Sequence, residues 1–208
     1  MISVTAYDGR IAMTPTDLAT TIRLALRGFE PTTLDAIREQ AARPAAVLVP
    51  VLAAGPEPRL VFTLRTEDLS RHAGEVSFPG GLADPGESLA ETALREAEEE
   101  LGLLPVDVEL LGSLPAVHTH VSGIVIAPFV GLLRTDPVLA PDPAEIAAVL
   151  EVPVRVLSEV WEVRWLEHDG RRFPTDVFEV DGGTIWGATG RILRSFLDAL
   201  AAPAGGDA

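Results

Sequence analysis

The sequence predicts an α/β fold in which a mixed sheet is flanked by helices. Apolar, β-branched segments of strand length recur along the chain, at 46–52, 60–64, 108–111, 123–133, 164–166 and 173–180. Amphipathic helical patterns follow at 89–101 and 185–200. The chain has 208 residues, of which 47% are apolar and 23% are charged. That length and composition are typical of one folded domain with a sizeable core.

The first part of the chain differs from the rest in its predicted secondary structure. Residues 16–27 and 35–42 read as short helices, and the strand pattern begins only after them. We therefore expect residues 1–40 to form a helical extension packed on a domain spanning 41–203, followed by a disordered tail at 204–208. The extension could cover a sheet edge or form the interface of a homodimer.

Charge and composition exclude several functions. The net charge is −15, which disfavours nucleic acid and anionic membranes as partners and attracts divalent cations. Cysteine is absent, which excludes disulfides and thiolate metal sites, and lysine is absent, which excludes a Walker-type phosphate site. The apolar segment 45–54 is too short to span a bilayer, and the first ten residues lack the order of a signal peptide. We therefore expect a cytoplasmic protein.

The segment 80–103 is strongly acidic and reads as a glycine-rich loop followed by a helix. Ser88 and Glu91 have the spacing of a capping box, and Gly102 stands where a helix-ending glycine is expected. These signals predict a helix over residues 89–101. Gly80 and Gly81 precede it and let a ligand approach the backbone closely.

One face of this helix gathers carboxylates. At about 100° per residue, Glu96, Glu99 and Glu100 share an arc, and Arg95 can brace Glu99. Three carboxylates at one place favour a hard divalent cation, Mg²⁺ or Mn²⁺, and through it pyrophosphate chemistry. The alternative is a solvated polar face. The opposite arc predicts the core-facing residues, Ala90, Ala93, Leu94, Ala97 and Leu101.

These residues resemble the Nudix box, G-x5-E-x7-R-E-U-x-E-E-x-G-U, where U is a large apolar residue. Every fixed position agrees, and only Ala97 is smaller than usual. The matching residues are Gly81, Glu87, Arg95, Glu96, Glu99, Glu100 and Gly102. The resemblance implies a Nudix fold, an α/β/α sandwich around a central mixed sheet, and metal-dependent hydrolysis of a nucleoside diphosphate linked to another group.

The resemblance also implies a role for each matching side chain. Glu96, Glu99 and Glu100 would bind Mg²⁺ or Mn²⁺, Glu87 would support the loop or the outer shell of the metal site, and Arg95 would orient a helix glutamate by a salt bridge. Glu99 or Glu100 would then also be candidates for accepting the proton of the attacking water.

A narrower resemblance, to the coenzyme A pyrophosphatase branch, precedes the box. Thr66 and Ser70 depart from its pattern, and Arg71 would have to replace an arginine expected at position 70. The matching residues are Thr63, Arg65, Gly74, Phe78, Pro79, Gly80 and Gly81. This resemblance implies hydrolysis of coenzyme A or its acyl derivatives to 3′,5′-ADP and 4′-phosphopantetheine.

Several other residues are candidates for the site. Arg65 and Arg71 are predicted phosphate contacts, with surface salt bridges as the alternative. Glu145, in an acidic, proline-rich loop, is a candidate metal ligand or general base, with plain surface charge as the alternative. His118 and His120 are expected at the rim of the cleft. The three tryptophans are expected in the core.

Two further functional readings stay open. The first is the same chemistry on another small nucleotide substrate, such as ADP-ribose, NADH or a (deoxy)nucleoside triphosphate, which the departure at Ser70 favours. The second is a nucleotide-binding module without catalysis. Such modules usually lose glutamates of the box, and this chain retains them.

Overall fold

The structure is a computed structural model that describes residues 14–40, 42–66, 74–119, 123–168 and 171–202. Five helices lie in these ranges, together with a short 3-10 turn at Pro105–Asp107. The helices are α1 (Pro15–Leu26), α2 (Leu34–Glu39), α3 (Leu89–Leu101), α4 (Val154–Glu159) and α5 (Gly187–Ala201).

The strands of the described ranges form two sheets. They are β1 (Arg43–Leu52), β2 (Arg59–Arg65), β3 (Val76–Ser77), β4 (Gly80–Leu82), β5 (Glu109–Ser113), β6 (Val117–His118), β7 (Ile124–Leu133), β8 (Ile146–Pro153), β9 (Trp161–His168), β10 (Arg171–Val180) and β11 (Gly183–Ile185). The larger sheet contains β1 to β8, and the smaller one has the order β11-β10-β9.

The larger sheet is mixed. Its central path is β3-β2-β1-β7-β5, with β4 paired to β1, β6 to β7 and β8 to β2. Strands β1 and β7 run parallel along their whole length, from Arg43 opposite Ile124 to Leu52 opposite Leu133. The other pairs of this sheet are antiparallel. The predicted mixed sheet is therefore confirmed.

Helices cover both faces of this sheet. Along β1, Ala46 and Leu48 pack with α2 and α3, whereas Val49 and Val51 pack with α1 and α5. This alternation is what the two-residue period of a strand requires when both faces are buried. The predicted α/β/α arrangement is confirmed, and it places α3 against the centre of the sheet.

The three tryptophans lie in or beside the smaller sheet and are more exposed than predicted. Trp161 is 38% exposed, Trp165 is 60% exposed and Trp186 is 40% exposed. The prediction that they belong to the core is wrong. Trp161 and Trp165 alternate along β9, a strand that pairs with β10 on one side only among the described residues. An apolar side chain can thus lie in a strand without being covered.

Helix α1 contributes to the main core even though it precedes the domain predicted from the sequence. Its buried side chains pack in the same cluster as those of α5, while Ile37 of α2 packs with α3 on the other face. Within the described ranges, no helix is both long and apolar enough to cross a membrane. The disordered tail predicted at 204–208 lies outside the described residues.

Candidate active site

Helix α3 begins and ends as its sequence predicts. The Ser88 hydroxyl accepts the backbone N–H of Glu91 at 3.3 Å, and the Glu91 carboxylate accepts that of Ser88 at 2.8 Å. Gly102 closes the helix in the left-handed conformation, at φ 70°. These local bonds fix where the helix begins and ends, and packing against the sheet then decides which of its side chains are buried.

The buried face of α3 is slightly rotated from the predicted one. Ala93, Ala97 and Leu101 are buried as expected, whereas Ala90 and Leu94 are only partly buried. Glu100, at 5% exposure, lies on the buried side. The rotation thus takes a carboxylate out of water, which is costly unless the charge is neutralised.

Arg95 lies at the centre of a group of acidic side chains that we call the carboxylate cluster. Its members on α3 and the loop before it are Glu87, Glu96, Glu99 and Glu100. Its Nε donates to Glu87 at 2.7 Å, its NH1 lies 2.8 Å from Glu99 and 2.9 Å from Glu96, and its NH2 donates to the carbonyl oxygen of Leu82 at 3.2 Å. One guanidinium therefore contacts three carboxylates and the loop before the helix. This matches the bracing role that the family resemblance implies for Arg95.

Glu87 ties the glycine loop to the helix. Besides Arg95, its carboxylate accepts the backbone N–H of Asp84 at 3.1 Å and the hydroxyl of Thr92 at 3.0 Å. The bond from Arg95 is the main reason that the pKa of Glu87 falls to about 2. Glu87 is therefore a permanently charged anchor. The contributions of Thr92 and Asp84 were not predicted, since neither lies at a spacing that signals them.

The two glycines before the helix make room for the site. A Cβ atom at Gly81 would lie 2.5 Å from the carboxyl carbon of Glu96, and one at Gly80 would lie 2.4 Å from the carbonyl oxygen of Ala46 in β1. Real Cβ contacts are essentially never this short. At Gly80 the obstacle is backbone, so that position requires glycine, whereas at Gly81 the obstacle is the flexible carboxylate of Glu96, which an added Cβ would displace. Gly81 lets Glu96 pack directly on the backbone of β4. Burial there raises the pKa of Glu96 above its ordinary value.

Glu100 is the most buried acid of the cluster. Burial raises its pKa to about 7, although the nearby Arg65 guanidinium and the backbone N–H of Gly80 oppose the shift. Its Oε1 accepts Arg65 NH1 at 3.4 Å, and its Oε2 is buried without a hydrogen-bond partner. A buried oxygen left without a donor is costly in a stable fold and is expected where function requires it.

Arg65 brings the helix and a distant loop together. Its NH2 donates to Glu145 at 3.2 Å while its NH1 contacts Glu100. Arg65 is the last residue of β2, and the pairing of β2 with β8 shifts register between Leu64 and Arg65. Such bulges redirect side chains next to active sites. Glu145 therefore lies in the cluster, bound to an arginine that the sequence predicted as a phosphate contact.

The loop carrying Glu145 is fixed on the end of α3. The backbone N–H of Asp142 donates to the carbonyl oxygen of Glu100 at 3.1 Å, and that of Ala140 to Leu101 at 2.8 Å. The backbone N–H of Glu145 in turn donates to the carbonyl of Asp142. The loop thus satisfies carbonyls at the helix end. Asp142 was not predicted, because its role depends on a backbone contact with a helix 42 residues earlier in the chain.

A divalent cation fits the chemistry of this cluster. Across the part of the chain that the structure describes, no three acidic or histidine side chains are already gathered to hold a metal ion. Arg95 draws Glu99 and Glu96 to itself, and Glu99 remains 60% exposed. However, the unpartnered Oε2 of buried Glu100 is a carboxylate oxygen with no donor, and oxygen ligands suit Mg²⁺ or Mn²⁺.

Other predicted site residues are less central or lie outside the description. Arg71 and His120, like the departing Ser70, fall outside the described residues. His118 is exposed, and its backbone carbonyl accepts Arg191 at 2.7 Å. The arginine and histidine predictions at 71 and 120 stay predictions.

Comparison with known proteins settles the family. The NUDIX domain family matches residues 42–173, well over half of the chain. The chain belongs to the Nudix family. A Photorhabdus laumondii protein named "Uncharacterized Nudix hydrolase NudL" is 38% identical over 155 residues, which cover 73% of this chain and 82% of that protein. The predicted enzyme class, a Nudix hydrolase, is thereby confirmed, and hydrolysis of nucleoside diphosphate derivatives is supported.

Two further matches define the extent of the similarity. A protein of the same name from Pectobacterium atrosepticum is 44% identical over 125 residues, 60% of this chain, and the chain spans 63% of that relative's length. The crystal structure of a MutT/nudix family protein from Enterococcus faecalis superposes with a TM-score of 0.52 at 12% identity, covering 88% of this chain and 74% of that one. The latter match supports the fold alone.

Proposed function

We propose that this Nudix hydrolase cleaves the diphosphate linkage of coenzyme A or its acyl derivatives, giving 3′,5′-ADP and 4′-phosphopantetheine. The observation that carries the reaction type is the buried, unpartnered Oε2 of Glu100 beside Glu96, at a backbone kept open by Gly81. The similarity of residues 62–81 to the coenzyme A branch supports the substrate.

In this proposal Glu96, Glu99 and Glu100 hold Mg²⁺ or Mn²⁺. Such a cation neutralises diphosphate charge and lowers the pKa of water. Arg95 fixes Glu96 and Glu99 relative to the loop, through bonds of 2.9 and 2.8 Å. Arg95 therefore keeps two of the proposed ligands next to the glycine loop, although among the described residues they are not yet gathered as a metal site.

The remaining residues serve the diphosphate and the proton. The backbone at Gly80 and Gly81 gives the substrate close access to the site, and Arg65 and Arg71 are the proposed phosphate contacts. Water oxygen forms the new bond to phosphorus as the bridging P–O bond breaks. Either Glu145 or a helix glutamate accepts the proton of that water. Arg65 holds Glu145 at the cluster, as its 3.2 Å bond shows.

The test is a chromatographic assay with Mg²⁺ or Mn²⁺ on coenzyme A, acetyl-coenzyme A, NADH, ADP-ribose and dGTP. We expect 3′,5′-ADP from coenzyme A at the highest kcat/KM. The Glu100→Gln variant should lose orders of magnitude in kcat. The matched control is Glu98→Gln, which removes an exposed glutamate from the same helix.

The assignment of the site and the assignment of the substrate can be contradicted independently. If Glu100→Gln and Glu98→Gln were equally active, the assignment of the site would be wrong. If Glu100→Gln were inactive but another substrate were preferred to coenzyme A, the site would stand and the substrate would be wrong. Tight nucleotide binding without turnover in either metal would identify a binding module instead.

A further inference from the structure

Strand β9 has an edge that no described strand covers. It lies at the end of the smaller sheet and pairs with β10 from Trp161 opposite Phe178 to His168 opposite Arg171. Its other edge has no strand partner in the ranges that the structure describes. The backbone N–H and C=O groups of such an edge are a template for another strand, and proteins usually protect them.

The exposed side chains of β9 form an apolar stripe. Trp161, Val163 and Trp165 alternate along the strand and therefore project from one face of the sheet. They are 38%, 50% and 60% exposed. Arg194 covers part of Trp161, with its guanidinium carbon 4.0 Å from the ring centroid. Exposed large apolar side chains that lie side by side indicate an interaction surface.

The opposite face of β9 carries charges of both signs. Glu162 and Arg164 are exposed and form an ion pair with each other, and Arg164 also contacts Glu179 of β10. Proteins often protect a strand edge with charged side chains, lysine above all. Such charges repel a second copy when those that face each other have the same sign. The mixture of signs on β9 lacks that protection, and it makes the strand complementary to itself in an antiparallel arrangement.

A two-fold symmetric pair of β9 strands has few possible registers. Residues directly opposite each other in an antiparallel pair point to the same face, so a two-fold symmetric pair must centre on one residue. Centring on Val163 places Glu162 opposite Arg164 of the second copy. It also places Trp161 opposite Trp165, and Val163 opposite itself. All the facing pairs in this stretch are then apolar or oppositely charged.

Neighbouring registers are less favourable. Centring on Glu162 or on Arg164 places two like charges directly opposite each other, which is destabilising. Centring on Trp165 places Val163 opposite Glu167 and separates Arg164 from a carboxylate partner across the pair. Among the registers centred on residues 162 to 165, the charge pattern therefore favours the one centred on Val163.

We propose that β9 is a homodimer interface, in which two copies pair antiparallel about Val163 and join their smaller sheets into one. Each subunit would present the same surface to the other, as two-fold symmetric dimers require. The contact would bury the apolar stripe of both copies. Glu162 of each copy would form an ion pair with Arg164 of the other. This interface is separate from the carboxylate cluster on α3, and the proposal does not depend on the substrate.

The first test is sedimentation velocity of the full chain from about 1 to about 100 µM, because an interface of this kind is small. We expect a dimer that forms as concentration rises. The Val163→Arg variant should stay monomeric over the same range, because it places two cations at the symmetry axis. Within the subunit, position 163 faces Asp176 across the β9–β10 pair, so the substitution is compatible with the fold.

The second test fixes the register by charge exchange. Glu162→Arg gives a strand with arginine at both positions, and Arg164→Glu gives one with glutamate at both. Each variant alone should be monomeric, because like charges face each other. An equimolar mixture of the two should form a heterodimer. Arg155→Glu, which removes an exposed arginine of α4, is the matched control and should dimerise like the parent chain.

Each result decides the proposal. A parent chain that is monomeric throughout, or a dimer unaffected by Val163→Arg, would overturn the interface. A dimer disrupted by Val163→Arg but not restored by mixing the charge variants would overturn the register. Circular dichroism of each variant, matched to the parent chain, establishes that a loss of dimer is not a loss of fold.

Discussion

Helix α3 and strand β9 both place side chains in unfavourable surroundings, but in opposite senses. Helix α3 takes carboxylates out of water, with Glu100 only 5% exposed, whereas β9 leaves Trp165 60% exposed to it. In α3 the cost is partly offset within the chain, because Arg95 and Arg65 contact the carboxylates. In β9 the described residues supply only partial cover, from Arg194 over Trp161 and from Arg172, whose guanidinium carbon lies 5.9 Å from the centroid of the Trp165 ring.

The acidic face of α3 and the exposed face of β9 are two kinds of functional surface. A buried charge cluster tolerates few arrangements, since each carboxylate needs a donor or a cation. An exposed apolar stripe is stable in the folded chain and gains free energy only when a partner covers it. We therefore expect substitutions in α3 to change the stability of the single chain, and substitutions in β9 to change mainly association.

The largest stability effect is expected at Glu100. Its pKa is about 7 in the fold against an ordinary value of 4.5, so the fold is destabilised as pH rises from 4.5 to 7. The cost above pH 7 is on the order of 3 kcal/mol, since one pKa unit is about 1.4 kcal/mol. Glu100→Gln should remove this cost, which urea denaturation in EDTA at several pH values measures.

The pH dependence of the stability difference distinguishes the burial of the Glu100 carboxylate from other causes. Glu100→Gln and the parent chain should differ little in stability near pH 4, where the carboxyl group is mostly protonated in both folded and unfolded states. Their difference should grow up to about pH 7 and then stay constant. It should shrink when Mn²⁺ is added, because the parent carboxylate then gains a cation. A difference independent of pH would contradict the burial argument.

The next largest effect is expected at Arg95. Arg95→Ala leaves Glu87, Glu96 and Glu99 without their shared donor, which should lower the free energy of unfolding by about 1–3 kcal/mol. The control is Arg155→Ala, whose ion pairs with Glu159 and Glu57 lie at the surface and should contribute much less. Equal losses in the two variants would show that Arg95 is an ordinary surface arginine.

Substitution of Gly81 should weaken Mn²⁺ binding while leaving the fold intact. In Gly81→Ala the new Cβ meets the flexible carboxylate of Glu96 at 2.5 Å, so the side chain moves and the backbone can stay. We expect Mn²⁺ affinity to fall about tenfold, which is about 1.4 kcal/mol. Isothermal titration with Mn²⁺ measures it. Gly86→Ala is not a suitable control, because Gly86 has a φ of 96°, whereas Gly28→Ala meets nothing within 4 Å.

The smallest effect is expected at the start of β9. The contact of Arg194 with the Trp161 ring should contribute about 0.5–1 kcal/mol to the single chain. A double-mutant cycle with Arg194→Ala and Trp161→Leu in the Val163→Arg background measures it without interference from association. A coupling free energy indistinguishable from zero would mean that the ring is uncovered on both sides.

Prediction from sequence succeeded where the signals are local. The capping box of Ser88 and Glu91 and the closing Gly102 lie within a few residues of the helix they limit, so α3 was predicted with its observed bounds. Strand β8 was missed, since Ile146–Pro153 follows a proline-rich loop and alternates only weakly. Strands β3 and β6 have two residues each, too short to give a periodic signal.

In the candidate active site, too, local features were predicted from the sequence and long-range contacts were not. The sequence by itself determined that Glu96, Glu99 and Glu100 share a helical arc and that Arg95 lies beside them, because a helix has a fixed period. Only the tertiary structure decided which carboxylate is buried and which arginine contacts it. Arg65 reaches Glu100 across 35 residues and Glu145 across 80.

The tryptophans mark the limit of sequence reasoning most plainly. The chain by itself determined that Trp161, Val163 and Trp165 fall on one face of a strand, because side chains alternate with a period of two. Whether that face is covered depends on which elements pack beside β9, and local pattern does not encode their position. Burial is a property of the assembled layers, so the structure alone placed carboxylates inside and tryptophans outside.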